Sequence, residues 1–94
     1  MNIIWSATAE RTYLFIITQI LEKWTVKEAR RFIADVDKLL LTVSKNNQIC
    51  PASKTYNLRK CVVNNHISLI YKLSKNKIEL VTFIYNKSGH SFYA

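Results

Sequence analysis

The sequence contains very little glycine, proline and cysteine, and each scarcity excludes a class of site. One glycine among 94 residues rules out a glycine-rich phosphate-binding loop. The two cysteines, Cys50 and Cys61, lack the CxxC spacing of a zinc or redox motif, and no pair of histidines lies near them. We therefore expect no metal, no cofactor and no disulfide, which fits a reduced cytoplasmic setting.

Long hydrophobic runs and targeting signals are also missing. The longest apolar stretch, 13–21, is interrupted by Thr18 and Gln19 and is well short of the roughly 20 residues that a membrane-spanning helix needs. The first residues lack the basic segment and the small-residue cleavage site of a secretory signal. We therefore expect a cytoplasmic protein with no membrane partner.

Acidic residues are scarce in the second half of the chain. Residues 48–94 contain seven basic side chains and one acidic side chain, Glu79, and so carry six of the eight net positive charges. A surface of this kind is suited to an anionic partner such as nucleic acid, a nucleoprotein or an acidic protein. The side chains predicted to form a basic target-binding surface are Arg59, Lys60, Lys72, Lys75, Lys77 and Lys87.

The first half of the chain shows helical periodicity. A short apolar strand is predicted at Asn2–Trp5, and Ser6 or Thr8 then caps a first helix. Thr25 and Glu28 fit a capping box, which starts a second helix after a very tight turn. Each helix is predicted to have one apolar stripe, so the hairpin must pack against a sheet, with Trp5 and Trp24 as core anchors.

The second half alternates between apolar and polar residues. This pattern predicts a three-stranded antiparallel meander over 57–63, 66–73 and 77–85. The fold class is therefore α+β, in the order β-α-α-β-β-β, with the helices on one face of the sheet. The chain is predicted to be one domain, 1–94, in which 86–94 form an irregular tail. Strict alternation places Ile70, Val81 and Phe83 on the face that the helices leave uncovered.

This order of elements, together with several short motifs, resembles the RelE/ParE superfamily of bacterial toxins over nearly the whole chain. In chain order, the motifs are Ile3-Ile4-Trp5-Ser6 followed by Ala9-Glu10, Glu22-Lys23-Trp24 with Ala29-Arg30-Arg31-Phe32, Leu58-Arg59-Lys60 after Pro51, and 67–73 with 77–81. The resemblance implies a toxin of a type II toxin–antitoxin module that a small cognate antitoxin binds and neutralises. We expect that antitoxin to cover the sheet face with Ile70, Val81 and Phe83.

The resemblance leaves two activities open. The ParE-like branch inhibits DNA gyrase by binding, whereas the RelE-like branch cleaves mRNA on the ribosome without a metal. Such a nuclease needs cations that stabilise the transition state and groups that move protons. On this chain, the catalytic candidates for that activity are Arg59, Lys60, Lys87, His90 and Tyr93.

Two positions of the chain depart from the nuclease pattern. The arginine of the third strand falls on Ser68, and the arginine after the last strand falls near Ser88. Arg59 and Lys60 are adjacent on a strand, so at most one of them can face a given partner. We therefore favour a ParE-like toxin that inhibits growth by binding its target, rather than an enzyme. The alternatives are a ribosome-dependent mRNA endonuclease and an inactivated toxin fold that serves as a binding module.

Overall fold

The computed structural model describes residues 1–54 and 57–87 of the chain. In chain order, its elements are β1 (Asn2–Trp5), α1 (Ala7–Lys23), α2 (Val26–Lys45), β2 (Arg59–Val62), β3 (Ile67–Ser74) and β4 (Lys77–Tyr85). The predicted α+β class and element order are confirmed, although β2 is shorter than the predicted 57–63. No helix in these two ranges is long and apolar enough to cross a membrane.

The four strands form one mixed sheet in the order β1-β4-β3-β2. β1 pairs in parallel with β4, and the other pairs are antiparallel, as the predicted meander requires. The side chain of Ser6 connects this sheet to the first helix. Its hydroxyl oxygen accepts from the Ala9 amide at 2.9 Å and donates to the Val81 carbonyl at 2.9 Å. The same residue therefore caps α1 and fixes its start against β4.

The second helix of the hairpin starts after the cap residue Thr25, as predicted. Its side-chain oxygen accepts from the Glu28 amide at 3.2 Å and so caps α2. The two helices cover one face of the sheet. The buried cluster between the two layers contains Ala9, Ile16, Phe32, Val36, Val43, Cys50, Cys61, Ile67, Leu69, Tyr71, Ile78, Leu80 and Phe83.

A β-bulge interrupts the β3–β4 ladder. Leu69 pairs with Phe83 and Ile70 with Thr82, but Tyr71 pairs with Leu80, so Val81 is an extra residue in β4. The bulge reverses the alternation along β4. Phe83 therefore lies on the helix side of the sheet, and its ring centroid is 5.4 Å from that of Tyr13. The prediction that Phe83 lies on the uncovered face is wrong for this reason.

The α1 helix has more than one apolar side. Leu14, Phe15 and Leu21 are 61%, 55% and 48% exposed, although the prediction gave this helix a single apolar stripe. Trp24, the C-cap residue of the helix, is 63% exposed and is not the predicted core anchor. Trp5 is partly buried against the core, as expected. The hairpin therefore offers an apolar surface that the sheet does not cover.

Cys50 and Cys61 form a disulfide, which corrects the prediction that these cysteines are reduced. Cys61 lies in β2 on the helix side of the sheet, and Cys50 lies in the α2–β2 loop, of which the structure describes residues 46–54 and 57–58. The bond joins this loop to the strand that follows it. Sequence spacing could not reveal the pair because the loop folds back onto β2.

Candidate binding surfaces

A cleft of about 730 Å³ lies between the helical hairpin and one end of the sheet. Its walls are the second half of α1, the first half of α2, the β2–β3 turn and the end of β4. The exposed aromatic side chains among its lining residues are Phe15, Trp24 and Tyr85. The Trp24 and His66 ring centroids are 6.4 Å apart, so the helical hairpin and the turn approach each other at this point.

The charged side chains of this cleft are mixed in sign. Lys23 and Arg31 line it together with Glu28 and Asp35. Because these formal charges cancel, the cleft does not select an anionic partner by net charge. Its three exposed aromatic side chains are of the type that often dominates binding energy at protein interfaces.

Asn86 fixes the sheet-side wall of the cleft. Its amide nitrogen Nδ2 donates to the carbonyls of Asn64 and Asn65 at 3.1 and 3.0 Å, and its backbone N–H donates to the His66 carbonyl at 2.8 Å. The Ser68 hydroxyl donates to the Asn86 side-chain oxygen. Asn86 was predicted to begin an irregular tail, but in the structure it connects the end of β4 to the β2–β3 turn.

Ser68 is fully buried, with 0% of its surface exposed. The predicted resemblance assigned it the position of an arginine in the RelE-like pattern. Its neighbours Leu69 and Ile67 belong to the core, so the Ser68 side chain points away from the helices, where it contacts Asn86. A cation at this position would displace the bond that holds Asn86.

The predicted basic surface is divided in the structure. Lys72, Lys75 and Lys77 lie at the β3–β4 turn, whereas Lys87 follows the other end of β4. A nine-residue strand is roughly 30 Å long, so Lys87 does not belong to the same patch. His90 and Tyr93, the other predicted catalytic residues of the tail, lie outside the described residues.

One acidic residue partly neutralises the lysines at the turn. The Lys72 Nζ is 3.4 Å from the Glu79 carboxylate, and the Ser74 hydroxyl donates to the same carboxylate at 3.0 Å. The bond from Ser74, and then Lys72, lower the pKa of Glu79 below its ordinary value. Lys60 pairs with Ile70 across β2 and β3, so its side chain lies, like that of Lys72, on the sheet face that the helices leave open.

Arg59 is not on the basic surface. It lies opposite Tyr71 on the helix side of the sheet, so Arg59 and Lys60 face opposite ways, as predicted. Its guanidinium donates to the carbonyls of Gln48 and Cys50 at 3.1 and 2.7 Å. Two of its donors thus hold the α2–β2 loop, which corrects its predicted placement on a target-binding surface.

The predicted antitoxin face contributes little accessible area. Ile70 points away from the helices but is only 5% exposed, Val81 is the bulge residue, and Phe83 is in the core. The cleft, which was not predicted, instead has three exposed aromatic side chains. Two residues could have indicated this cleft from the sequence. Phe15 lies outside the apolar stripe of α1, and Trp24 lies between the two helices.

Among the described residues, no cluster of three or more His, Cys, Asp or Glu side chains is placed to hold a metal ion. In the described part of the chain, the apolar cleft and the lysines of the open sheet face are features that can bind a macromolecule.

Comparisons with solved structures identify the fold. No protein-family model and no curated protein matches the sequence. The chain superposes on a structure of the chromosomal ParDE toxin–antitoxin system from P. aeruginosa with a TM-score of 0.77 and 14% identity, over 90% of this chain and 95% of that chain. It superposes on the YoeB/ParE toxin from Agrobacterium tumefaciens with a TM-score of 0.67 and 9% identity, over 92% and 99% of the two chains.

A further match is the heterotetrameric YoeB–YefM toxin–antitoxin complex from Staphylococcus aureus. The TM-score is 0.63 with 16% identity, over 92% of this chain and 97% of that chain. The protein therefore has the fold of RelE/ParE superfamily toxins, and the predicted resemblance is confirmed at the level of the fold.

Proposed function

We propose that this protein is the toxin of a type II toxin–antitoxin module, which inhibits bacterial growth in the cytoplasm until a cognate antitoxin binds it. The observation that carries the proposal is the whole-chain fold shared with the ParDE and YoeB–YefM systems. A second observation supports it. Among the described residues, eleven large apolar side chains are exposed, and three of them lie together along the cleft, as is expected when a partner covers part of the surface.

The antitoxin is proposed to bind in the cleft rather than on the open sheet face. Phe15, Trp24 and Tyr85 present exposed rings there, while Ile70 on the sheet face is already buried. Aromatic anchors in a groove between a helical hairpin and a sheet suit the apolar face of an amphipathic segment. The positive and negative side chains at the rim then orient that segment through individual charge pairs, without selecting it by its net charge.

The toxin is proposed to act by binding its target, as ParE-like toxins do. Ser68 leaves the third strand without the arginine of the nuclease pattern, and the arginine expected after the last strand falls near Ser88. Each missing preorganised donor costs roughly 10²–10³ in rate, so two such losses disfavour an efficient nuclease. DNA gyrase is proposed as the target by analogy with the ParE-like branch.

Two assays on one purified preparation test this target assignment. The first measures supercoiling of relaxed plasmid by bacterial DNA gyrase, and the second maps new mRNA 5′ ends in cell-free translation with and without ribosomes. The proposal predicts inhibited supercoiling and intact mRNA. Ribosome-dependent cuts with normal supercoiling would establish the nuclease instead. The Lys60→Ala variant and the Arg59→Lys variant would then show which β2 cation acts.

A further inference from the structure

The described part of the α2–β2 loop is attached to the sheet by several independent bonds. The Tyr71 hydroxyl donates to the Asn47 carbonyl at 2.8 Å, and the Lys60 amide donates to the Pro51 carbonyl at 3.1 Å. Cys50 is bonded covalently to Cys61. The loop therefore lies along the outer edge of β2, and its position decides what is accessible there.

Arg59 is the residue most directly affected by this loop. Its Nη1 donates to the carbonyl of Gln48 at 3.1 Å and to the carbonyl of Cys50 at 2.7 Å. A guanidinium cannot lose its charge at physiological pH, so these carbonyls occupy the Nη1 donors of a permanent cation. The shorter of the two bonds is made to the backbone of the residue that forms the disulfide.

We propose that the Cys50–Cys61 disulfide is a redox latch that controls the availability of Arg59. When the disulfide is intact, Cys50 cannot move away from β2, and its carbonyl stays on the Arg59 guanidinium. When the disulfide is reduced, the loop keeps only hydrogen bonds, and Arg59 becomes free to bind an oxyanion of a partner. The latch is a property of the toxin chain and operates whichever target it has.

The chemical step is a thiol–disulfide exchange with a dithiol reductant. A thiolate of the reductant attacks one sulfur and displaces the other cysteine as a thiolate, and the second reductant thiol then releases the mixed disulfide. Two electrons and two protons pass to the protein, which gains two thiols while the reductant becomes a disulfide. Cys61 is 1% exposed and Cys50 is 8% exposed, so attack on Cys50, the loop side, is the more accessible route.

Chemical modification of arginine tests the latch, because the chain contains its own reference residues. It has four arginines, and Arg11, Arg30 and Arg31 are all exposed on the helices. The full chain is treated with phenylglyoxal before and after incubation with dithiothreitol, and each arginine is followed by peptide mass spectrometry. We expect Arg59 in the oxidised protein to react on the order of tenfold more slowly than Arg11, and to approach the rate of Arg11 after reduction.

A Cys50→Ser/Cys61→Ser double variant gives the same comparison without a reductant, and its Arg59 is expected to react as the reduced protein does. Amide hydrogen exchange is measured on each sample. Faster exchange in 46–54 with unchanged protection in β3 and β4 supports a local latch. The proposal is overturned if Arg59 reacts equally in both redox states, or if reduction removes protection from β3 and β4 as well, since the disulfide is then a global staple.

Discussion

Phe83 lies directly opposite Leu69 in the β3–β4 ladder, and both side chains are on the face of the sheet that the helices cover. The extra residue Val81 makes this possible, since it shifts every later side chain of β4 to the other face. The aromatic cluster of Trp5, Tyr13 and Phe83 depends on this shift. The fold of the core is therefore set by a local irregularity in one strand.

Truncation of Phe83 is expected to be severe because this side chain is 3% exposed and contacts three other rings. Phe83→Ala should lower the free energy of unfolding by about 3–5 kcal/mol, as for other buried phenylalanines. Urea denaturation measures this change. Val62→Ala, in an exposed strand position, is the control and should change stability by less than about 0.5 kcal/mol. Similar values for both variants would place Phe83 outside the core.

Trp24 is expected to be the main anchor for the antitoxin. Trp24→Ala should weaken binding of the cognate antitoxin by roughly 30-fold, which corresponds to about 2 kcal/mol. It should leave the stability of the free toxin nearly unchanged, because the side chain is 63% exposed. Isothermal titration calorimetry measures the affinity.

The control for this experiment is Leu41→Ala. Leu41 is 58% exposed on α2 and does not line the cleft, so its loss should leave the affinity unchanged. If Leu41→Ala weakens binding and Trp24→Ala does not, the antitoxin binds elsewhere.

Asn86 and Ser68 are expected to act as one unit. Asn86→Ala removes the donors to the Asn64 and Asn65 carbonyls and leaves the buried Ser68 hydroxyl without its acceptor. It should lower the free energy of unfolding by about 1–3 kcal/mol. In a double-mutant cycle, adding Ser68→Ala should cost less in the Asn86→Ala background than in the natural protein. Strictly additive effects would refute a shared bond.

The Tyr71 hydroxyl makes the free energy of unfolding depend on pH in the alkaline range. Burial raises the pKa of Tyr71 above its ordinary value of 10.0, although the charge of Arg59 and a backbone contact at Cys50 oppose this shift. The pKa of Tyr71 is higher in the folded protein than in the unfolded chain. The stabilisation that the protonated hydroxyl provides is therefore fully present at pH values below the unfolded-state pKa. It is lost as the pH rises through the folded-state pKa.

The variant Tyr71→Phe tests this dependence. At neutral pH it should be less stable by about 0.5–1.5 kcal/mol, because the bond to the Asn47 carbonyl is lost. That difference in unfolding free energy should shrink above about pH 10, since only the natural side chain has to stay protonated. A difference that stays constant up to about pH 11 would contradict the raised pKa.

The element order could be predicted because it depends on periodicity and capping, which are local. Ser6 and Thr25 cap the helices as their sequence context indicates. The bulge at Val81 could not be predicted, because it depends on how β3 and β4 pair with each other. Neither strand's residues alone indicate where that pairing shifts. The same limit applies to Cys50 and Cys61, which only the return of the α2–β2 loop brings together.

The candidate site was predicted less well than the fold. Charge counting predicted one basic surface, but it could not show that Arg59 bonds to the loop or that Glu79 pairs with Lys72. The cleft was missed because its walls come from four separate segments. Its aromatic side chains are normal core residues when each is considered alone.

The proposed role of the chain is that of a growth-inhibiting toxin controlled by an antitoxin. The most direct measurement is bacterial growth during induced expression of the toxin, alone and together with the product of the short open reading frame expected beside its gene. We expect growth arrest with the toxin alone, rescue by the second protein, and loss of rescue with the Trp24→Ala toxin. Normal growth at a verified level of folded protein would overturn the proposed toxin role.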